Sequence, residues 1–347
     1  MRMRLFPNLK IAHKLRLALV GSALLVSAGV GMASYFVGSA TVDEMSRRQL
    51  RTIADERAHE FSTYLDSIQT DFINTAVTES LATTLRDVAV GWGNFAASKP
   101  PVDAAATLRG VFIDANPNPR GERHLLESPE ALAKVYYGGQ HTKAHPVFRR
   151  QVDARGYADL YLIDPEGNVI YSVMKRDDFA TSLAESGPYA DSGLGRAFRE
   201  ALTFTEPGQI AFQDLSMYAP AGEPAAFLAT ALFDARQRVI GVMAVQMPNA
   251  PLTSMMQKQA NLGKTGESFF VGMDHLLRND SLFSEENDTL RTSFKNPVVD
   301  AALAGEVAEG VTTDYRGMRM LATAQTGLWL PPSARRKPTP PSSACAT

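Results

Sequence analysis

Few residues in this chain have the type and spacing that chemistry would need. The six histidines are His13, His59, His124, His141, His145 and His275. Only His141 and His145 have the i, i+4 spacing that puts two imidazoles on one helix face, as two zinc ligands would need. No HExxH motif accompanies them and Pro146 follows His145 directly, so packing is favoured over metal ligation. There is no GxSxG nucleophile elbow and no glycine-rich phosphate loop with a lysine, and the single cysteine, Cys345, lies near the end. Asp177-Asp178 suggests paired carboxylates for acid–base work, but acids adjacent in sequence usually point apart and stay solvated. The expectation is a protein that is not an enzyme, with no metal and no cofactor.

The elements that would carry any site are bounded by composition. The chain has 347 residues, 45% of them hydrophobic, which is ample for a packed core and excludes wholesale disorder. One cysteine excludes a disulfide framework. A net charge of −2 argues against a nucleic-acid partner. The charge is uneven: residues 1–16 carry Arg2, Arg4, Lys10, Lys14 and Arg16 without an acid, and all 37 acids lie between this head and the tail. A basic head before an acidic body is a pattern that membranes read.

Residues 17–40, LALVGSALLVSAGVGMASYFVGSA, contain no charge. As a helix they would span roughly 36 Å, enough to cross a hydrocarbon core of roughly 30 Å. A cleavable signal peptide ending near Gly38-Ser39-Ala40 is the rival, but secretory apolar regions are typically about 7–15 residues. An uncleaved anchor with a cytoplasmic head (1–16) and an exported remainder is therefore expected.

Residues 41–95 read as one long stalk-like helix, with Leu50, Ile53, Phe61, Leu65, Ile68, Phe72, Leu81, Leu85 and Val88 on one stripe. That stripe must be buried within the chain or against a second copy, so a homodimer is expected. Residues 96–130 read as irregular, with breakers at Pro100-Pro101 and Pro117 to Pro119, and a short helix follows over about 129–153. Strands are expected at 157–163 and 168–174 around the turn Asp164-Pro165-Glu166-Gly167, then at 210–218, 225–233 and 239–247. Together they predict a five-stranded antiparallel sheet with helices on one side. A smaller series follows: a helical 252–260, a hairpin of 268–273 with 276–279, a helix at 297–304, and a hairpin of 311–315 with 318–324. The fold class is α+β: a transmembrane helix (17–40), a long amphipathic helix (41–95), a distal module (96–250) and a proximal module (251–326).

The runs DLYLIDPEGNVIYSVMKRDDFATSL (159–183) and GPYADSGLGRAF (187–198) resemble the exported sensor of bacterial methyl-accepting chemotaxis receptors of the double Cache type. MYAPAGEPAAFLATALF (217–233), VIGVMAVQMP (239–248) and GKTGESFFVGMDHLLRNDSLF (263–283) follow in the same order. The resemblance covers about residues 40–324. It implies two PAS-like antiparallel modules, a periplasmic location, a dimer, and a small-molecule ligand held by the distal module. In the family pattern a glycine follows the turn aspartate, where this chain has His275 after Asp274. The chain also departs from the family after Ala324, where a last strand and a second membrane helix are expected. Five of the 17 residues from 331 on are proline, so 327–347 is expected to be disordered and the proximal module incomplete, through a truncated or frameshifted reading frame.

A site of this kind is a concave sheet face closed by a loop. Alternation puts Asp159, Tyr161 and Ile163 on one face of the first strand and Val242, Ala244 and Gln246 on one face of the last. In amino-acid-binding relatives an acid on the final strand meets the ligand's ammonium group. Gln246 stands there, an amide that donates and accepts but cannot neutralise a cation. The candidate ligand-binding residues are Tyr161, Tyr171, Lys175, Asp177, Tyr189, Tyr218 and Gln246, the tyrosines as a cradle and Lys175 as an anion holder. Each has an ordinary alternative: strand tyrosines are commonly half-buried, Lys175 can pair with Asp177 or Asp178, and Gln246 can satisfy backbone. The function expected is a membrane-anchored extracytoplasmic sensor of a chemotaxis receptor. The alternatives are the sensor of a membrane histidine kinase or cyclase, an exported binding protein without signalling, or an exported hydrolase.

Overall fold

The computed structural model describes residues 11–258 and 262–326, together with the strand Ser343–Ala346. Contacts divide the chain into two units, 1–53 and 54–347. In the first, helix α1 (Ile11–Ala76) begins and carries the uncharged stretch, with Leu19, Leu24, Leu25, Val26, Tyr35 and Phe36 all exposed. It is long and apolar enough to cross a membrane.

In the second unit, Leu65, Ile68, Phe72 and Ala76 of α1 are buried in the main core. The single helix expected over 41–95 is broken: α1 ends at Ala76 and α2 runs from Glu79 to Ala97. Thr78 makes the break, with an extended backbone and a side chain that accepts from the Leu81 N–H at 3.3 Å, so α2 starts as a capped helix. The region 96–130 also holds more structure than expected, with α3 (Ala104–Arg109), a π-helical turn Gly110–Asp114 and a 3₁₀ turn Arg123–Leu125. Asp103 caps α3 through its carboxylate. Helix α4 follows at Tyr136–Arg155.

The first sheet contains β1 (Asp159–Ile163), β2 (Val169–Ser172), β3 (Ala211–Tyr218), β4 (Glu223–Phe233) and β5 (Val239–Gln246), in the order β2-β1-β5-β4-β3. Every described pairing is antiparallel, as expected. Helices lie on both faces, not one. One face packs on the core of α1, α2 and α4, and the other on α5 (Gly193–Leu202), which the sequence reading did not predict. β1 and β2 are buried at every position; burial on both faces gives near-continuous apolar runs instead of alternation. Gly193 lets α5 sit close, since a Cβ there would lie 2.9 Å from the Phe227 ring.

After α6 (Ala250–Met256), the second sheet has the order β6-β9-β8-β7, from β6 (Phe269–Gly272), β7 (Ala308–Thr313), β8 (Arg319–Thr326) and β9 (Ser343–Ala346), with α7 (Pro297–Leu303) packed on it. Residues 276–279 make only isolated bridges instead of the expected strand. His275 takes the left-handed backbone that the turn requires (φ 62°) and pairs with Asp300 at 2.7 Å. Of the tail expected to be disordered, 327–342 and 347 lie outside the described residues, but Ser343–Ala346 form β9 between β6 and β8. The four small residues lack the prolines of the preceding segment, and they pair the facing backbone edges of both strands. Arg278 ties the two sheets together: its guanidinium meets Asp214 of β3 at 2.9 Å and Asp274 at 2.9 Å.

Candidate functional site

Register decides which predicted residues meet. Tyr161 pairs with Ser172 and Ala244, Asp159 with Gln246, and Gln246 with Phe227. Directly opposed residues share a face, so Asp159, Tyr161, Gln246 and Phe227 point to the α5 side. Tyr218 of β3 joins them, its ring 4.9 Å from Phe227 and edge-on. Tyr171 pairs with Leu162 and therefore points the other way.

The segment after β2 divides its charges between the two sides. Lys175 has a left-handed φ of 52°, a costly conformation for a non-glycine residue. Its ammonium is fully buried on the Tyr171 side, 4.1 Å from the Tyr171 ring centre, 4.8 Å from Phe179 and 5.1 Å from Phe112, and it donates to the Ser172 carbonyl. It pairs with neither Asp177 nor Asp178. Arg176 instead donates to the Gln246 amide oxygen. Asp177 stays near the surface, held by Arg120 at 2.8 Å and Arg123 at 3.0 Å. Asp178 is fully buried and accepts from the Tyr218 hydroxyl. Tyr189 adjoins from the covering segment, half-buried, with its ring 6.4 Å from Tyr218.

The structure thus gathers Tyr161, Tyr218 and Gln246, with Tyr189 at the rim, and places Tyr171, Lys175 and Asp177 elsewhere. The sequence reading missed Asp178 and Arg176. The adjacent acids do diverge, but one of them diverges inward.

Asp159 anchors the chain leaving β2, its Oδ1 accepting from the backbone N–H groups of Leu160, Val173 and Met174 at 2.7–3.0 Å. Its Oδ2 has no partner among the described residues, nor do Asp178 Oδ1, Gln246 Nε2 and the Tyr161 hydroxyl, all four buried. Buried polar atoms are ordinarily paired, so four orphans in one cluster require explanation. Burial, then the Asp178 charge, pushes the Asp159 carboxyl up to about 7. Burial also raises Asp178, against the Tyr218 hydrogen bond. For Arg176 burial opposes the charge, but Asp159, Tyr161 and Asp178 outweigh it and raise its pKa.

The histidine pair has a packing role on the Tyr171 side. His145 contacts the Tyr171 hydroxyl at 2.6 Å and the His124 carbonyl at 2.7 Å, so its Nε2 donates and its Nδ1 accepts. His141 stacks on it at 4.5 Å and donates from Nδ1 to the Glu127 carbonyl. Burial, then the nearby Lys175 charge, brings His145 down to about 3. An open groove of about 400 Å³ lies beside the α1–α2 break, lined by Thr78, Arg86, Gly208, Thr230, Phe233 and Gln237 among others. None of the predicted site residues lines it.

No protein-family model matches the chain, and no curated protein matches it. Among solved structures it is similar to the ligand-binding domain of the Pseudomonas fluorescens chemoreceptor CtaA in complex with L-serine, at 13% identity over 88% of this chain and 97% of that one, with a TM-score of 0.44. The ligand-binding domain of the Pseudomonas aeruginosa PAO1 amino acid chemoreceptor PctC in complex with GABA shows 14% identity over 87% and 98%, TM-score 0.40. The sensor domain of the V. cholerae histidine kinase DctB shows 16% over 76% and 95%, TM-score 0.38.

Proposed function

We propose that this chain is the extracytoplasmic sensor part of a membrane-anchored chemotaxis receptor, of double Cache type. In this reading it binds a small molecule in the distal module without transforming it. The observation that carries the reading is the set of four buried, unpartnered polar atoms on Asp159, Tyr161, Asp178 and Gln246, roofed by the segment 174–192 and by α5. A pocket that uses a few convergent polar groups among apolar walls is the usual form of a small-molecule site. The motif order of 159–283 supports the receptor class, and the apolar stretch of α1 supports the anchor with the sensor in the periplasm. The exposed Val42 and Met45 on α1 support pairing with a second copy. A sensor histidine kinase is the second reading, since the same sensor architecture serves either output.

A thermal-shift screen of the full chain in detergent micelles against organic acids, amino acids, amines and sugars tests the binding reading, because a ligand that prefers the native state raises the unfolding midpoint. At least one compound is expected to stabilise the chain, and Gln246→Ala is expected to reduce that shift. Hits that are all indifferent to Gln246→Ala would move the site out of the distal sheet.

A further inference from the structure

The orphaned atoms at the distal site also define what would satisfy them, and this step rests on the distal-site reading above. Two orphans, Asp159 Oδ2 and Asp178 Oδ1, are carboxylate oxygens on fully buried side chains. The bases around them are already committed. Arg176 donates to Gln246, and Lys175 is turned to the opposite face. Arg109 holds the Asp177 and Phe179 carbonyls at 2.7 and 2.8 Å, and Arg120 and Arg123 hold the Asp177 carboxylate. Two acids therefore face one side with Arg176 as their base, which leaves the site short of positive charge. A buried acid without a counter-charge is costly.

The other orphans are the Gln246 Nε2 donor and the Tyr161 hydroxyl. They suit a neutral oxygen acceptor. The rings of Tyr161, Tyr218 and Phe227 form one aromatic group, with centroids 6.4 and 4.9 Å from Phe227, and aromatic faces favour a cation. We propose that the distal site selects an organic ammonium ion whose second polar group is uncharged, an amine or amino alcohol, over an amino acid or a carboxylic acid. The ammonium sits between Asp159 and Asp178, and the neutral oxygen accepts from Gln246 and Tyr161. A carboxylate in that second position would lie beside two acids with no free base to meet it.

Three compounds of one skeleton separate the possibilities: L-alaninol, L-alanine and L-lactate, titrated calorimetrically against the full chain in detergent micelles. L-alaninol is expected to bind at least about tenfold more tightly than L-alanine, with L-lactate silent. Asp178→Asn, which keeps an acceptor for Tyr218, is expected to weaken L-alaninol about 100-fold. Tyr161→Phe removes only an unpartnered hydroxyl. It is expected to weaken L-alaninol about tenfold and to leave n-propylamine unchanged. L-alanine or L-lactate binding as tightly as L-alaninol would overturn the selectivity while leaving the distal site standing. So would a screen whose only hits are acids. Silence from every compound class in the screen would overturn the site reading and this inference together.

Discussion

At the scale of single residues, the buried charges of the distal module work against each other with pH. Asp159 moves from 3.8 up to about 7, so the fold prefers its neutral form. Its contribution to stability is full below about pH 4 and is lost as pH climbs through about 7. Lys175 moves from 10.5 down to about 7, through burial partly countered by Asp159. Its charge penalises the fold fully below about 7, and the penalty fades as pH rises toward 10.5. The two together give stability a minimum near neutrality. Lys175→Met fills the same cage of Phe112, Tyr171 and Phe179 without a charge. Replacing a buried ion by an apolar side chain of similar volume is often stabilising by about 1–4 kcal/mol. The variant is expected to unfold at a higher temperature than the parent at about pH 6, and to lose the rise in midpoint on the alkaline side. A lower midpoint at that pH would show that the bond from the lysine to Ser172 outweighs its burial.

At the scale of elements, the Thr78 cap sets where α1 gives way to α2 and hence where Leu81, Leu85 and Val88 enter the core. Thr78→Ala removes the bond to the Leu81 N–H and the hydroxyl's own bond to the Thr75 carbonyl at 2.8 Å. The expected cost is about 1 kcal/mol, read as a lower midpoint in urea unfolding with an unchanged slope; no change would mean the break is fixed by packing alone. The same elements show what the sequence could reveal. The five strands were legible because β-branched and aromatic runs alternate with Asp-Pro-Glu-Gly and Gly-Pro turns. The helix break was not, because Thr78 carries no proline or glycine and the apolar stripe runs through it. α5 was hidden by Gly193 and Gly195, which depress helix propensity but are needed for its close seat on Phe227. The site was half legible. Alternation placed Tyr161 and Gln246 together, whereas the face taken by Tyr171 depends on a register shift between Leu162 and Ile163, which alternation alone does not reveal. Asp177 and Asp178 look equivalent in sequence, and only the arginines of the 120–123 loop distinguish them.

At the scale of the whole molecule, the account rests on a receptor whose distal sheet takes its guest under the 174–192 segment, while α1 packs in the core of the same unit. Phe61 of α1 lies 4.3 Å from Phe270, and Arg57 donates to the Lys258 carbonyl at 2.8 Å, so α1 also touches the linker and the second sheet. A ligand that tightens the distal cover therefore has a packed route to the helix. Hydrogen exchange of the full chain in detergent micelles, with and without the compound giving the largest thermal shift, tests the central claim most directly. Slower exchange in 174–192 and in β5, with little change at the 76–86 and 230–237 segments of the open groove, is the result the account predicts. Protection confined to that groove or to the second sheet, with 174–192 unchanged, would contradict it.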